Sequence, residues 1–520
     1  MRRPALLLAA LLLGAAGPAE HTFTLGVPSD LLTMDPDGAN QTFTQVMLGS
    51  IYEGLVRLDE HMRVEPALAT AWSQPAPDTW RFTLRPGVRF HDGRPFTAED
   101  VAFSFARAAA DGSDIKVSVA PVKTVRAVDP MTIEITTDGP DPILPREIPY
   151  VYVMPKSWAV EHDAQTPSGV RSDRQTFATM HADGTGPFRL VERTPDSSTI
   201  LARNPDWWDT AHRTLDRVVI RPIGNDSTRI AAIAAGGADM IQGVPLQAIE
   251  TLRANPDIVV AQGSDMRTLF LGMDQHSEHL SGEEQMANPF KDVRVRRAVY
   301  QAIDIVAIQQ HVMRGMSRPT GEMVAPSING YDAALDVRLP YDPAASRNLL
   351  KQAGFADGFA VTLDCPVGRL INDQEICEAL VPMLARIGIK VSLNAQTFAV
   401  FSQVVLSRKT SFYLQSWLPP SGDALNTIVS VMATPGNAQG TFNSGGYSNP
   451  DLDALIPAIR TELEPAKRDA LIAKAMAIHA ADIGHIPLHQ QPVVWAMRRS
   501  VHVPVMPDDG VRLAWVRVDE

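Results

Sequence analysis

A chain of 520 residues is too long for one hydrophobic core, and its 45% hydrophobic content is that of an ordinary globular protein of two to four domains. Its 59 acidic residues outnumber 47 basic ones, a net charge of −12 that argues against nucleic acid or anionic lipid as partners. Only two cysteines occur, Cys365 and Cys377, without the spacing of a zinc or CxxC redox site.

In chain order, residues 1–19 read as a cleavable leader. Arg2 and Arg3 form a basic start, Ala5 to Leu13 is an apolar run, and Gly17-Pro18-Ala19 supplies small residues at a cleavage site. The apolar run falls short of the roughly 20 residues that span a bilayer, so an exported, periplasmic protein is expected. Trp80, Phe82 and Leu84 then alternate with Arg81, Thr83 and Arg85, predicting a half-buried strand. Turns follow at Pro86-Gly87 and Asp92-Gly93. Thr97 with Asp100 makes a capping-box start for a helix that carries Val101, Phe105 and Ala108 on one face.

A strand–helix–strand unit is predicted from Val218-Val219-Ile220, through a helix capped near Asn225 that stops at Gly236-Gly237, to Ala238-Asp239-Met240-Ile241. His276 to Glu284 reads as a polar loop rather than a metal site, and Arg294, Arg296 and Arg297 as a solvated helix face. A second unit runs from Val361–Cys365 through a helix bearing Ile376, Leu380, Met383, Leu384 and Ile387 to Ile389–Leu393. Pro382 inside that helix should kink or divide it at roughly 3 kcal/mol. Cys365 and Cys377 flank the first turn of this unit. They form either a bridge or two buried thiols.

Several blocks fall in a recognisable order. They include Ile51-Tyr52-Glu53-Gly54-Leu55, Pro66-Ala67-Leu68-Ala69, Thr79 to Gly93, Phe96 to Val101, and Gly184-Thr185-Gly186-Pro187-Phe188. Further along come Asn204-Pro205-Asp206-Trp207-Trp208, Leu269 to Met273, Asp292 to Ala298, Tyr341-Asp342-Pro343, Tyr447 to Asp451 and Ile486-Pro487-Leu488-His489. Together they resemble the bacterial extracellular solute-binding proteins of family 5, the dipeptide, oligopeptide and nickel type. The resemblance covers nearly all the chain after the leader, and the segment around Trp417 is nearest the glutathione-type branch.

The resemblance implies an α/β, two-lobed periplasmic binding protein (type II, cluster C-like) with an extra subdomain and a ligand cleft between the lobes. Lobe I would comprise 20–50, 186–268 and 494–520, the subdomain 51–185, and lobe II 269–493. The implied function is the substrate-binding component of an ABC importer, a monomer that closes by hinge motion on a peptide or peptide-like solute and docks on the permease. It implies no catalytic residue, no metal and no cofactor. Two alternatives are a periplasmic hydrolase or peptidase, which turnover of peptides would reveal, and a metal-chelate or haem carrier of the same family. The chain has no Gly-x-Ser-x-Gly, His-Glu-x-x-His or Gly-x-x-x-x-Gly-Lys motif.

The candidate ligand residues lie on loops that leave strands, where open α/β sheets bind their ligands. Arg369 follows the strand ending near Cys365, just ahead of a helix N-terminus at Asn372-Asp373, and its fork of donors suits a carboxylate. Arg369-Leu370-Ile371-Asn372 matches the Arg-x-x-Asn setting of the family's carboxylate-binding arginine. Trp417 stands in Trp417-Leu418-Pro419-Pro420-Ser421-Gly422-Asp423-Ala424, as either a stacking surface or a core residue. The family's dipeptide binders place an ammonium-binding aspartate where this chain has Pro420, so a carboxylate-bearing ligand other than a simple dipeptide is expected. Gly422 and Asp423 complete this loop, and the resemblance adds Met34, His489 and Gln490 to the cleft.

Overall fold

The computed structural model describes residues 22–170, 175–212, 215–281, 283–436 and 439–519. The leader lies outside them. Its strands relevant here are β1 (Thr22–Val27), β2 (Ala69–Ala76), β3 (Thr79–Leu84), β4 (Val122–Asp129), β5 (Thr132–Thr137), β6 (Phe188–Thr194), β7 (Ser198–Arg203), β8 (Arg217–Pro222), β9 (Met240–Ile241), β10 (Ile258–Met273), β11 (Phe359–Val367), β12 (Ile389–Thr397), β13 (Phe412–Trp417) and β14 (Ile486–Arg498). The helices used below are α1 (Ala98–Ala109), α2 (Asp226–Ala234), α3 (Val293–Ala302), α4 (Asp373–Ala385), α5 (Phe398–Leu406) and α6 (Pro465–Asp482).

One mixed sheet runs through the molecule in the order β12-β11-β13-β10-β14-β9-β1-β8-β7-β6. β10 and β14, sixteen and thirteen residues long, pair antiparallel along most of their length. They join the half of the sheet around β11 to the half around β1. Alternation sorts their side chains between two cores: Val493, Trp495 and Met497 face one, and Val494 and Ala496 face the other. A separate four-stranded sheet, β2-β3-β5-β4, packs α1 over a third core built from residues 55–153.

The local predictions have local causes. Along β3, Trp80, Phe82 and Leu84 are buried while Arg81 and Thr83 are exposed. The Thr97 amide donates to Asp100 Oδ2 at 3.0 Å, closing the capping box that starts α1. Asn225 Oδ1 accepts from the Thr228 amide at 2.9 Å and starts α2. β8 and β9, on either side of α2, both pair parallel with β1, so the crossover passes over a strand brought in from the chain's start.

Four expectations are corrected or resolved. α4 is continuous through Pro382, which sits in its last turn, so the proline does not divide it. The carbonyl that proline leaves without an amide belongs to exposed Glu378, where water can reach it. His279–Leu280 and Glu283–Ala287 pair as short antiparallel strands, where a polar loop was expected. Arg296 is buried rather than solvated: its guanidinium donates to the carbonyls of Phe290, Asp482 and Ile483 and so ties α3 to the end of α6. Cys365 and Cys377 form a disulfide between the end of β11 and α4.

Candidate functional site

The residues of β10 and β14 do not match one for one where the strands cross. Ser264 pairs with Pro492 and Thr268 with Gln490, leaving Asp265, Met266 and Arg267 opposite Gln491 alone. Such a bulge re-aims side chains. Here it turns Met266 and Arg267 into a cavity of about 420 Å³. One wall of the cavity comes from residues 40–150, with Gln45, Arg146, Glu147 and Tyr150. The other comes from residues 366–442, with Arg369, Phe398, Phe401, Trp417, Gly422 and Phe442.

Arg369 projects from the loop between β11 and α4. Asp373 shapes that loop, its carboxylate accepting from the amides of Gly368 (3.2 Å), Arg369 (2.9 Å) and Leu370 (2.9 Å). The helix N-terminus expected to attract a ligand anion therefore already holds one of the chain's own carboxylates. Asn372, in a left-handed conformation at φ 54°, anchors the loop to the Val312 carbonyl at 2.8 Å. The disulfide closes it from the other side.

The Arg369 guanidinium lies 5.1 Å from the centre of the Phe398 ring, and no carboxylate among the described residues pairs with it. Burial, and then the like charge of Arg267, push it below its ordinary range, with Asp265 opposing. Among the described residues, Arg267 pairs with the buried Asp265 carboxylate at long range, 3.8 Å from Nε to Oδ2. Two guanidiniums thus border one cavity, Arg267 with a long contact to Asp265 and Arg369 with no paired carboxylate among the described residues, an arrangement suited to an anion of fixed geometry.

Trp417 is half-buried, packed against the core on one side and bordering the cavity on the other. Its Nε1 donates to Asn426 Oδ1 at 3.1 Å and its ring centre lies 4.6 Å from that of Phe442, yet it lines the cavity. Gly422, at φ 61°, also lines it; a Cβ there would stand 3.8 Å from Arg146 Nη1, on the opposite wall.

The remaining candidates lie elsewhere. Asp423, Met34, His489 and Gln490 are each 0% exposed, and none borders the cavity. Asp423 holds Arg468 in a two-pronged pair, with both contacts at 2.8 Å, and accepts from Asn329 at 2.7 Å. Met34 belongs to the core beside Asp35, which with Asp37 neutralises buried Arg107 of α1. Burial and Arg338 push the His489 imidazole down to about 3, so it is neutral. Gln490 donates to Thr268 Oγ1 at 3.1 Å and accepts from Arg318 at 2.8 Å, bracing the strand crossing.

Arg146, Glu147 and Arg267 were not singled out in the sequence. Arg267 offered one signal, an arginine at the start of the apolar run Leu269–Met273 where a core residue would be usual. Arg146 and Glu147, on the helical turn Leu144–Glu147 between Pro145 and Pro149, offered none beyond a charged pair in an otherwise apolar segment.

Comparison with known proteins agrees with this architecture. The family model for bacterial extracellular solute-binding proteins, family 5 (middle), matches residues 63–439. The glutathione-binding protein GsiB of Salmonella paratyphi A is 26% identical over 501 residues, covering 95% of this chain and 93% of the relative. Among solved structures, the periplasmic binding protein DppA of Helicobacter pylori, in complex with the peptide STSA, aligns with a TM-score of 0.74 at 24% identity, over 96% of this chain and 98% of that one. HbpA2 of Haemophilus parasuis aligns with a TM-score of 0.83 at 21% identity, over 96% and 100%.

Proposed function

Because this chain belongs to family 5 of the bacterial extracellular solute-binding proteins, we propose that it captures a peptide-like, carboxylate-bearing solute between its two lobes and delivers it unaltered to an ABC permease. The observation that carries this reading is the facing pair Arg267 and Arg369 in a cavity of about 420 Å³, with no carboxylate of the described residues closing on Arg369. The aromatic and aliphatic side chains of Phe398, Phe401, Val405, Trp417 and Phe442 supply the apolar area that buries the rest of such a solute. The likeness to GsiB over nearly the whole chain makes glutathione the first solute to try.

In this reading lobe I is built from 20–50, 186–268 and 494–520, with 51–185 as its subdomain, and lobe II from 269–493. The two crossing strands are the hinge, and Gln490 braces it at the register slip. A micromolar solute supplies about 8 kcal/mol, enough to drive a closure of a few kcal/mol when most contacts form only in the closed state. The receptor acts as a monomer in the periplasm, exported by the leader in residues 1–19.

Isothermal titration of the purified protein with glutathione, di- and tripeptides and opine-like acids tests the proposal. One solute bound per chain, recovered chemically intact, is the expected result. Steady conversion of the solute to product, or indifference to every carboxylate-bearing compound in the panel, would overturn it.

A further inference from the structure

The Arg369 loop presents four consecutive backbone amides. Those of Gly368, Arg369 and Leu370 donate to Asp373, as described above. The fourth, Ile371, donates instead to Gln491 Oε1 at 3.4 Å, a long bond. The other end of the same side chain, Gln491 Nε2, donates to Asp265 Oδ2 at 2.7 Å. These two neighbours fix the orientation of the amide, because a flipped side chain would set its oxygen against a carboxylate and its nitrogen against an N–H. Gln491 is the residue of β14 that stands opposite Asp265, Met266 and Arg267 in the register slip, and it does not border the cavity. Asp265, at the far end of this tie, also accepts from the Arg267 amide at Oδ1, 2.9 Å away, which shapes the bulge. Its charge attracts both guanidiniums, Arg267 at 3.8 Å and Arg369 across the cavity, and so opposes the repulsion between them.

We propose that Gln491 is a positioning residue of the anion site: it fixes the Arg369 loop to the strand crossing, so that Arg267 and Arg369 are held at one separation and the site moves with the hinge. The inference rests on the solute-receptor reading above and adds to it a residue that never touches the solute. Asp373 and the disulfide give the loop its shape, whereas Gln491 sets its place against β10. In the lobe division above, Asp265 and Arg267 belong to lobe I, and Ile371, Arg369 and Gln491 to lobe II. The tie therefore crosses the border between lobes at the hinge itself, where a few residues absorb the motion.

The chemistry of the amide gives a test that packing alone does not. Gln491→Glu keeps the length of the side chain and an acceptor for Ile371, but it replaces the donor to Asp265 with a second carboxyl. Burial already pushes the Asp265 carboxyl above its ordinary range, opposed by Arg267 and by the donors Gln491 and the Arg267 amide, with Asp508 reinforcing it. Asp509, beside Asp508 in the segment after β14, and Arg369, from the facing loop, are the other charges that act on Asp265. Two carboxyls in contact share one proton, and while they do the bond between positions 491 and 265 is restored. As pH rises that proton leaves, both groups are charged, and they repel.

The probe is glutathione, titrated by calorimetry. Gln491→Leu, close to glutamine in size, is expected to bind it about tenfold more weakly than the wild-type protein. In an Arg369→Ala background the same change should cost less than about threefold, because the side chain acts through that arginine's loop. Gln491→Glu is expected to fall about tenfold or more below the wild-type protein at about pH 8 and to recover to within about threefold of it at about pH 5. A full tenfold cost in the absence of Arg369, or a deficit in Gln491→Glu that does not change with pH, would overturn the inference. Without any solute, hydrogen exchange of the amides in residues 368–372 should quicken in Gln491→Leu, and exchange as slow as in the wild-type protein would overturn it too. Were Gln491→Leu not to fold, Gln491→Glu at the higher pH gives the same exchange reading. Failure of glutathione to bind the wild-type protein would take from the receptor reading its first solute, while the exchange measurement would still decide this inference.

Discussion

Arg369 and Asp423 stand on loops that leave two paired parallel strands, β11 and β13, and both lie beside motifs shared with the family. Their circumstances are opposite. The Arg369 guanidinium opens on the cavity with an aromatic ring beneath it and no paired carboxylate among the described residues. The Asp423 carboxylate is wholly buried, gripped by Arg468 and Asn329, and its backbone continues the contact with Asn329. A charge near a binding loop is available to a solute only when the fold has not already neutralised it. Position alone does not distinguish the two; pairing does.

The largest effect expected from this contrast is on stability. Asp423→Ala leaves Arg468 buried without its partner, and breaking a buried ion pair in this way costs about 3–5 kcal/mol. The urea midpoint should fall accordingly, with the far-ultraviolet circular dichroism of the surviving folded fraction unchanged. An unchanged midpoint would mean that the Asp423–Arg468 pair is not structural, and the contrast with Arg369 would collapse. Arg369→Ala should do the reverse, leaving the unfolding free energy within about 0.5 kcal/mol of the original value. It should weaken binding of a carboxylate-bearing solute by about 2–5 kcal/mol, roughly 30-fold or more. Arg369→Lys, which keeps the charge but loses the planar fork, should fall between the two.

The difference between these residues also shows what the sequence could and could not reveal. β3 and α1 were legible because alternation and a capping box act within ten residues, and Thr97 meets Asp100 whatever the rest of the chain does. Arg369 stood out because a strand-end loop is itself a local feature. Asp423 looked equally available because its partner lies 45 residues further on, in α6. Arg296 looked solvated for the same reason, its acceptors at 482 and 483 being reached only through the tertiary fold. Arg267 needs the bulge between β10 and β14, and Glu147 needs the 40–150 wall set opposite β11 and β13. No pattern of spacing encodes either juxtaposition, because both depend on strand order in a sheet assembled from distant segments.

A smaller effect separates the two anchors that shape the Arg369 loop. Asp373 holds three consecutive amides of that loop, and the Cys365–Cys377 bridge fixes its ends. A bridge closing a loop of this size limits the unfolded chain by up to about 3 kcal/mol, so reduction should lower the melting temperature. Its effect on binding is expected to be slighter, because the amide bonds to Asp373 survive in the folded protein. The loop then loses only part of its order, at about 1–2 kcal/mol for each residue freed. A Cys365→Ser, Cys377→Ser variant should therefore bind about three- to tenfold more weakly than the oxidised protein, with Arg369 still essential. Were the variant to bind as weakly as Arg369→Ala, the bridge rather than Asp373 would be what presents the guanidinium to the solute. Equal affinity of the two proteins would assign the whole arrangement to Asp373 and leave the bridge a role in stability alone.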